Sequence, residues 1–377
     1  MSTAAAPGGS PVRVVQVGAG GMGRAWLRTV AAEPDAELVG LVDLDVDVAR
    51  TALADAGIEG VLVGANVTEV AAAAGADAVI DVTVPAAHLT VNTEALAAGL
   101  PVLCEKPAAP TVADALRQAA AAEMHGRLLM ISQSRRYYAA LDALRAEVAG
   151  LGAVGTVVTE FYKAPRFGGF REEMDHVLLV DMAIHAFDAA RSVIGAEPVS
   201  VYCDEHNPSW SWYRGAANAH AVFTFSGGER YVYTGSWCAP GLETSWNGSW
   251  RVSAERGSAT WDGAGRVAVE TATGLREREI AGAPKEEIAA SLAEFLACLR
   301  AGDEPTGAAR RNVHSLAMVE AAVISAETGR SVMLDEVFET ALARAVDTEP
   351  DASVRAILQQ WTTLGGVPES TPHPIER

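Results

Sequence analysis

Residues 12–23 read VRVVQVGAGGMG, and the fold turns on how they are read. Val12, Val14, Val15 and Val17 make a short strand, glycines follow at 18, 20 and 23, and a helix, MGRAWLRTVAAE (22–33), opens within the glycine run. The spacing G-x-G-x-x-G is a weak signal alone in a chain with 35 glycines. Its setting makes it specific, because Asp43 ends the next strand, ELVGLVD (37–43), at the distance a dinucleotide-binding βαβ unit requires. Gly18 then makes the tight turn, Gly20 lets the backbone approach a pyrophosphate, and Gly23 allows close helix–strand packing. Backbone N–H groups at the helix start, around Gly21 and Met22, would hold the phosphates. Asp43 would accept from both ribose hydroxyls and repel a 2′-phosphate, so NAD is favoured over NADP.

Outward from this stretch, strands and helices alternate. A second helix (46–57) precedes the strand DAVIDVT (77–83), a helix (87–99), the strand PVLCEK (101–106), a helix (111–126) and the strand LLMISQ (128–133). Strict alternation means right-handed βαβ units, so residues 12–133 are predicted to form a doubly wound parallel sheet of Rossmann type. After Leu151 the texture changes to β-rich pieces such as GTVVTEFYK, PVSVYCDE and RYVYTGSW, with helices at 175–194, 285–301 and 308–328. Residues 134–335 are therefore expected to be an α+β domain with a large, mostly antiparallel open sheet, preceded by a disordered leader (1–11) before the nucleotide domain. A helical extension and polar tail (336–377) follow.

The chain has 377 residues and a net charge of −19, with no run of Lys or Arg, which excludes nucleic acid and an anionic membrane surface as partners. Four scattered cysteines without a CxxC pair point to a reducing compartment and away from structural zinc. With no signal peptide or apolar span legible, a cytoplasmic location is expected.

Two further segments carry chemistry. In LCEKPAAP (103–110), Glu105 and Lys106 end a buried strand, where the ligand crevice of an open α/β sheet lies. In LVDMAIHAFDAAR (179–191), Asp181, His185 and Asp188 fall on one stripe of an otherwise apolar helix. A metal set of His176, Asp181 and His185 is set aside because a spacing of nine positions between the histidines gives no helical ligand pair; no metal is expected.

VGAGGMG (17–23), TVPAAHLTVNTEALAAGLPVLCEKP (83–107), DMAIHAFD (181–188) and DEPTGAARRNVHSLAMVEAAVISAETGRSVML (303–334) together resemble the Gfo/Idh/MocA oxidoreductases, which include glucose-fructose oxidoreductase and inositol dehydrogenases. The resemblance implies an NAD-dependent dehydrogenase in which Lys106, Asp181 and His185 surround a secondary alcohol of a sugar, inositol or related polyol. His185 would be the base, Lys106 would stabilise the developing alkoxide, and Asp181 would orient the imidazole or bind a neighbouring hydroxyl. Asp188 reads as structural, pairing with Arg191. Thr83, Pro85, His88, Glu105 and Lys106 join the glycine loop as cofactor-contact candidates. The sequence departs from the family in Leu178, Leu179 and Ala183, where glycines are common, and these would narrow the pocket. An enzyme that retains and recycles NAD, as the family's isomerase- and glycosidase-type members do, and a non-catalytic sugar-sensing regulator are the alternatives.

Six of the eight tryptophans lie between Trp210 and Trp261. Trp210 and Trp212 fall in the turn-rich NPSWSWYRG (207–215), and Trp246 and Trp250 in the turn-rich GLETSWNGSW (241–250), where aromatic faces beside Asn, Ser and Arg donors suit the C–H faces and hydroxyls of a cyclic polyol. Gln133, Arg135, Arg136 and Tyr138, at the domain junction, are further substrate-contact candidates together with Arg166 and His176. Arg135 or Arg136 could equally bind an acidic group such as a uronate. An open sheet face predicts a homodimer or homotetramer.

Overall fold

The structure is a computed structural model describing residues 10–362; the polar tail and most of the expected leader lie outside the described residues. The predicted alternation, with an unpredicted β3 and α3 inserted after its second helix, forms β1 (Val12–Val17), α1 (Gly21–Ala32), β2 (Ala36–Val42), α2 (Val46–Ala56), β3 (Leu62–Gly64), α3 (Val67–Ala74), β4 (Ala78–Asp81), α4 (Pro85–Ala97), β5 (Val102–Glu105), α5 (Val112–His125) and β6 (Leu129–Ser132). All pairings are parallel, in the order β3-β2-β1-β4-β5-β6. The chain reverses direction across the sheet between β1 and β4, so the switch-point crevice opens at the end of β1, over the glycine loop.

The second part contains α6 (Ala139–Ala149), β7 (Val154–Tyr162), α7 (Ile184–Ile194), β8 (Pro198–His206), β9 (Asn218–Phe225), β10 (Arg230–Ser236), β11 (Ser249–Ala254), β12 (Gly257–Trp261), β13 (Arg266–Thr271) and β14 (Gly274–Glu279). After them come α8 (Glu287–Ala301), α9 (Ala309–Thr328), β15 (Val332–Met333), α10 (Leu334–Thr348) and α11 (Ala352–Leu358). Nine strands make one sheet, β14-β13-β12-β11-β7-β10-β9-β8-β15, antiparallel except for the β7–β10 pair.

Register separates the two faces of this sheet. Val252, Val157, Tyr231, Phe223 and Val201 form one cross-strand row, all at most 1% exposed. One residue along, Arg251, Val158, Val232, Val222 and Tyr202 form the opposite row, in which Val222 is 44% and Tyr202 50% exposed. Period-2 alternation in the sequence sets this division. The buried face holds α7 in place: the Phe187 ring meets Phe223, Tyr233 and Tyr231 at 4.9, 5.4 and 6.1 Å between centroids. Edge-to-face packing of this kind fixes helix rotation, and with it the direction of His185 and Asp188.

α8 leaves the second sheet and packs on the first. Its Leu292, Phe295 and Leu296 share a buried cluster with Val12, Val14, Trp26, Ile80 and Met130. Among the described residues no helix is long and apolar enough to cross a membrane.

Candidate active site

The glycine loop is held by two constraints that only glycine meets. A Cβ on Gly18, whose φ is +98°, would lie 2.5 Å from the Val82 carbonyl oxygen, and one on Gly23 would lie 2.3 Å from the Gly18 carbonyl oxygen. Gln16, fully buried, donates from Nε2 to the carbonyls of Gly18 (2.8 Å) and Gly23 (2.9 Å), a brace not evident in the sequence. By contrast, a Cβ on Gly20 or Gly21 would meet nothing within 4 Å, so open space stands above the helix start. α1 has no side-chain cap, which leaves its first-turn N–H groups for a phosphate, and Met22 lies beside them, 46% exposed. Asp43 accepts from the Ala19 N–H (2.9 Å) and the Asp45 N–H (3.0 Å), which fixes its carboxylate at the end of β2 beside the loop. These features fit the phosphates and ribose of NAD.

The other cofactor-contact candidates are arranged around Lys106. Thr83 turns its N–H and hydroxyl onto Asp81 Oδ1 (2.9 and 2.6 Å), and Pro85 begins α4. His88 is buried, with Nδ1 2.9 Å from the Pro107 carbonyl and Nε2 3.1 Å from that of Thr83, and so ties the end of β4 to the turn after Lys106. Glu105 accepts from Trp26 Nε1 (2.8 Å) and from the Lys106 N–H (3.0 Å). Burial raises the proton affinity of the Glu105 carboxyl and lowers that of the Lys106 ammonium, the latter partly restored by Asp181 and Glu105.

The polar stripe at 181–188 is not one regular helix. Residues Leu178–Ala183 form a π-helical turn that passes into α7, and the three polar groups go to three places. Asp181 receives Arg171 (2.6 and 3.4 Å), while Lys106 Nζ donates to the Asp181 backbone carbonyl at 3.1 Å. His185 is buried, and its Nδ1 has no hydrogen-bond partner among the described residues. Burial first, then the positive charges of Lys106 and Arg135, hold its imidazole well below the usual histidine range. Asp188 takes a bidentate pair from Arg136 (2.5 and 2.7 Å) and the Ser315 hydroxyl (2.6 Å), with Arg191 more distant at 3.9 Å. Arg136, not Arg191, is therefore its main partner, because Arg191 is taken by Glu197.

Nor do Leu178, Leu179 and Ala183 narrow a pocket. All three are fully buried in the main core, and Met182 is the residue of this turn that reaches the hollow also lined by Arg135, His185, Trp246, Asn247 and Trp250. Gln133, buried, has neither amide atom partnered among the described residues. Arg135 donates from Nη1 to Asn247 Oδ1 at 2.5 Å, and Tyr138 donates its hydroxyl to Glu287. Of the adjacent arginines, Arg136 is committed to Asp188 and Arg135 faces the hollow. Arg166 lies over the Trp212 ring at 3.8 Å. Trp210 is 64% exposed and donates to the Cys238 carbonyl. His176 has Nδ1 2.6 Å from Glu205 and Nε2 3.4 Å from Glu327, which occupies both its nitrogens. Sequence reasoning missed Arg171 as a neighbour of the site, while Trp246 and Asn247 lie in the turn-rich GLETSWNGSW (241–250), read from the sequence as a recognition segment.

A dinucleotide loop at the switch point of a doubly wound sheet, with a half-buried lysine at the end of β5 and a buried histidine whose Nδ1 is unpartnered among the described residues, belongs to a nucleotide-dependent oxidoreductase. Residues 12–133 match the model of an oxidoreductase family with an NAD-binding Rossmann fold, and residues 115–260 match the GFO/IDH/MocA C-terminal domain. The chain belongs to this GFO/IDH/MocA family, and its cofactor is NAD. It is 32% identical to inositol 2-dehydrogenase of Acidiphilium cryptum over 50% of this chain and 56% of that protein. With D-apiose dehydrogenase of Paraburkholderia graminis it shares 28% identity over 85% of this chain and 88% of the other. Among solved structures, an oxidoreductase from Agrobacterium radiobacter in complex with NAD+, L-tartaric acid and magnesium superposes with a TM-score of 0.80 at 20% identity, covering 86% of this chain and 99% of that one. That likeness bears on the fold.

Proposed function

We propose that the protein oxidises a secondary alcohol of a sugar, inositol or related cyclic polyol. NAD supplies the hydride acceptor when bound. His185 takes the hydroxyl proton through its free imidazole nitrogen; a ring kept neutral by burial and flanking cations is ready to accept one. Lys106, held by the Asp181 carbonyl, supports the oxygen as charge develops on it, where exclusion of water strengthens the interaction. Asp181 acts through Arg171 and a neighbouring substrate hydroxyl, since its carboxylate is bonded to Arg171 and not to His185. Arg136 and His176 position the surrounding turns, and Trp212 with Arg166 and Trp210 forms the outer wall.

The observation that carries this reading is the pair of buried groups unpartnered among the described residues, His185 Nδ1, on which the charge of Lys106 acts, and the amide of Gln133, which follows β6 where that strand ends beside β5 and Lys106. Buried polar groups left unpaired are costly, and a bound polyol would satisfy them. The test is absorbance of reduced nicotinamide when protein and NAD meet a panel of inositols, aldoses, glycosides and uronates. A rising signal with one member is expected; silence across the panel with no NAD copurifying would sink the reading.

The open row Arg251-Val158-Val232-Val222-Tyr202 is proposed to be covered by a second copy of the chain, in a dimer or a tetramer. Sedimentation velocity at micromolar protein is expected to show one of these, and a monomer would remove the proposal.

A further inference from the structure

Of the three cations around the reacting face, Lys106, Arg135 and Arg171, only Arg171 has a carboxylate at ion-pair distance among the described residues. In a chain of net charge −19, Lys106 and Arg171 both meet Asp181, and Arg135 lines the hollow beside His185. Lys106 and Arg135 both act on His185, and Arg171 and Arg135 both act on Lys106. The carboxylates nearby bond other groups directly, Asp181 to Arg171, Glu105 to Trp26 and the Lys106 N–H, Glu287 to the Tyr138 hydroxyl, and reach Lys106 (Asp181, Glu105) and Arg135 (Glu287) only at longer range. Among the described residues neither Lys106 nor Arg135 has a carboxylate within ion-pair distance. The guanidinium of Arg135 bonds Asn247 through Nη1, and its Nε–Nη2 edge has no partner among the described residues. That edge is two parallel N–H donors on a half-buried cation, the arrangement that a carboxylate satisfies with both oxygens.

We propose that the substrate is a polyhydroxy acid, an aldonate or uronate, whose carboxylate is bound by the free edge of Arg135. The proposal rests on the reading of this cleft as the substrate site. A neutral polyol would leave Arg135 desolvated and unpaired, so the cleft selects against it as well as for the acid. One free edge with two donors fits a carboxylate better than a phosphate, which brings three oxygens and a second charge while Lys106 is held for the reacting oxygen.

The test is binding, read by quenching of the tryptophans that line the hollow (Trp246, Trp250, Trp261) in full-length protein saturated with NAD. D-Gluconate is compared with D-glucitol, and D-glucuronate with D-glucose and with glucose 6-phosphate. At least one acid is expected to bind about tenfold or more tighter than its neutral twin, the advantage shrinking as salt rises. Arg135→Gln should abolish the advantage; Arg135→Lys, which keeps the charge and loses the paired donors, should retain part of it and serves if the glutamine variant fails to fold. Equal or absent binding of both acids, an advantage that survives Arg135→Gln, or tighter binding of the phosphate would each overturn the proposal. Acid binding without nicotinamide reduction would keep it and remove the dehydrogenase reading. Reduction with neutral polyols alone would do the reverse.

Discussion

Replacing His185 with alanine is expected to lower turnover about 10²–10⁴-fold while leaving NAD affinity unchanged, since the substitution removes a proton acceptor and touches none of the glycine-loop contacts. Burial and the charges of Lys106 and Arg135 lower the proton affinity of this imidazole, so at neutral pH it is already the free base. The sign follows: the base is lost only as pH falls through a value below the ordinary 6.5, and the acid limb of kcat/KM is displaced downward. Lys106, also lowered by burial, must stay protonated to support the alkoxide, so activity falls as pH rises through a value below 10.5. Both limbs of the pH profile thus move toward acid for one leading physical cause, the desolvation of cationic forms in the cleft. In His185→Ala the acid limb should vanish and the alkaline limb remain. An alanine variant with parental kcat would remove His185 from the chemistry, and an acid limb at or above 6.5 would contradict its electrostatic setting.

What the sequence shows of this site and what it hides divide along a physical line. Lys106, Asp181 and His185 stand out in the sequence as candidates because chemistry restricts the residue type and the fold restricts the position, at a strand end or a helix start. Their partners were not legible. Arg171 reaches Asp181 from a short 3₁₀ turn (Gly169–Glu173), and Arg136 reaches Asp188 across fifty-two positions of chain, with no periodicity linking them. The π-helical turn was read as regular helix, since the apolar pattern of LLVDMAI suits either winding. In the fold, β1, β2 and the crossovers were clear from alternation. The three-residue β3 and the following Ala-rich α3 were not identified, because so short an edge strand has no pattern of its own. The hydrophilic β14, exposed throughout, reads as loop because an edge strand protected by charge has no apolar face to show. α8 looked like part of the second domain by position alone; only its Leu292 and Phe295, packed with Trp26, show which sheet it serves.

Asp188→Ala is expected to destabilise the protein by about 3–5 kcal/mol, the loss typical when one partner of a buried ion pair is removed. Asp188 is 1% exposed and neutralises Arg136, whose side chain is 16% exposed. In the variant Arg136 would keep only the Thr306 carbonyl at 3.4 Å, and Ser315 would lose its acceptor. Arginine cannot escape by losing its proton, and the Asp188 pairing pushes Arg136 further toward the charged form, so an uncompensated buried cation is what remains. Asp188→Asn should cost less, since the amide oxygen still accepts from one guanidinium arm. The comparison is made by the urea midpoint of each variant at constant slope. The consequence reaches the site, because Arg136 follows Arg135 and the turn beginning at Gln133, while Asp188 lies one helical turn beyond His185. The pair therefore fixes the distance between the turn that carries the free guanidinium edge and the helix that carries the base. Even where Asp188→Ala protein folds, KM for the substrate should rise, because the two halves of the cleft are then held by apolar packing alone. A variant with parental stability would mean that water or a shifted Glu197 reaches Arg136, and that the ion pair is not what sets this spacing.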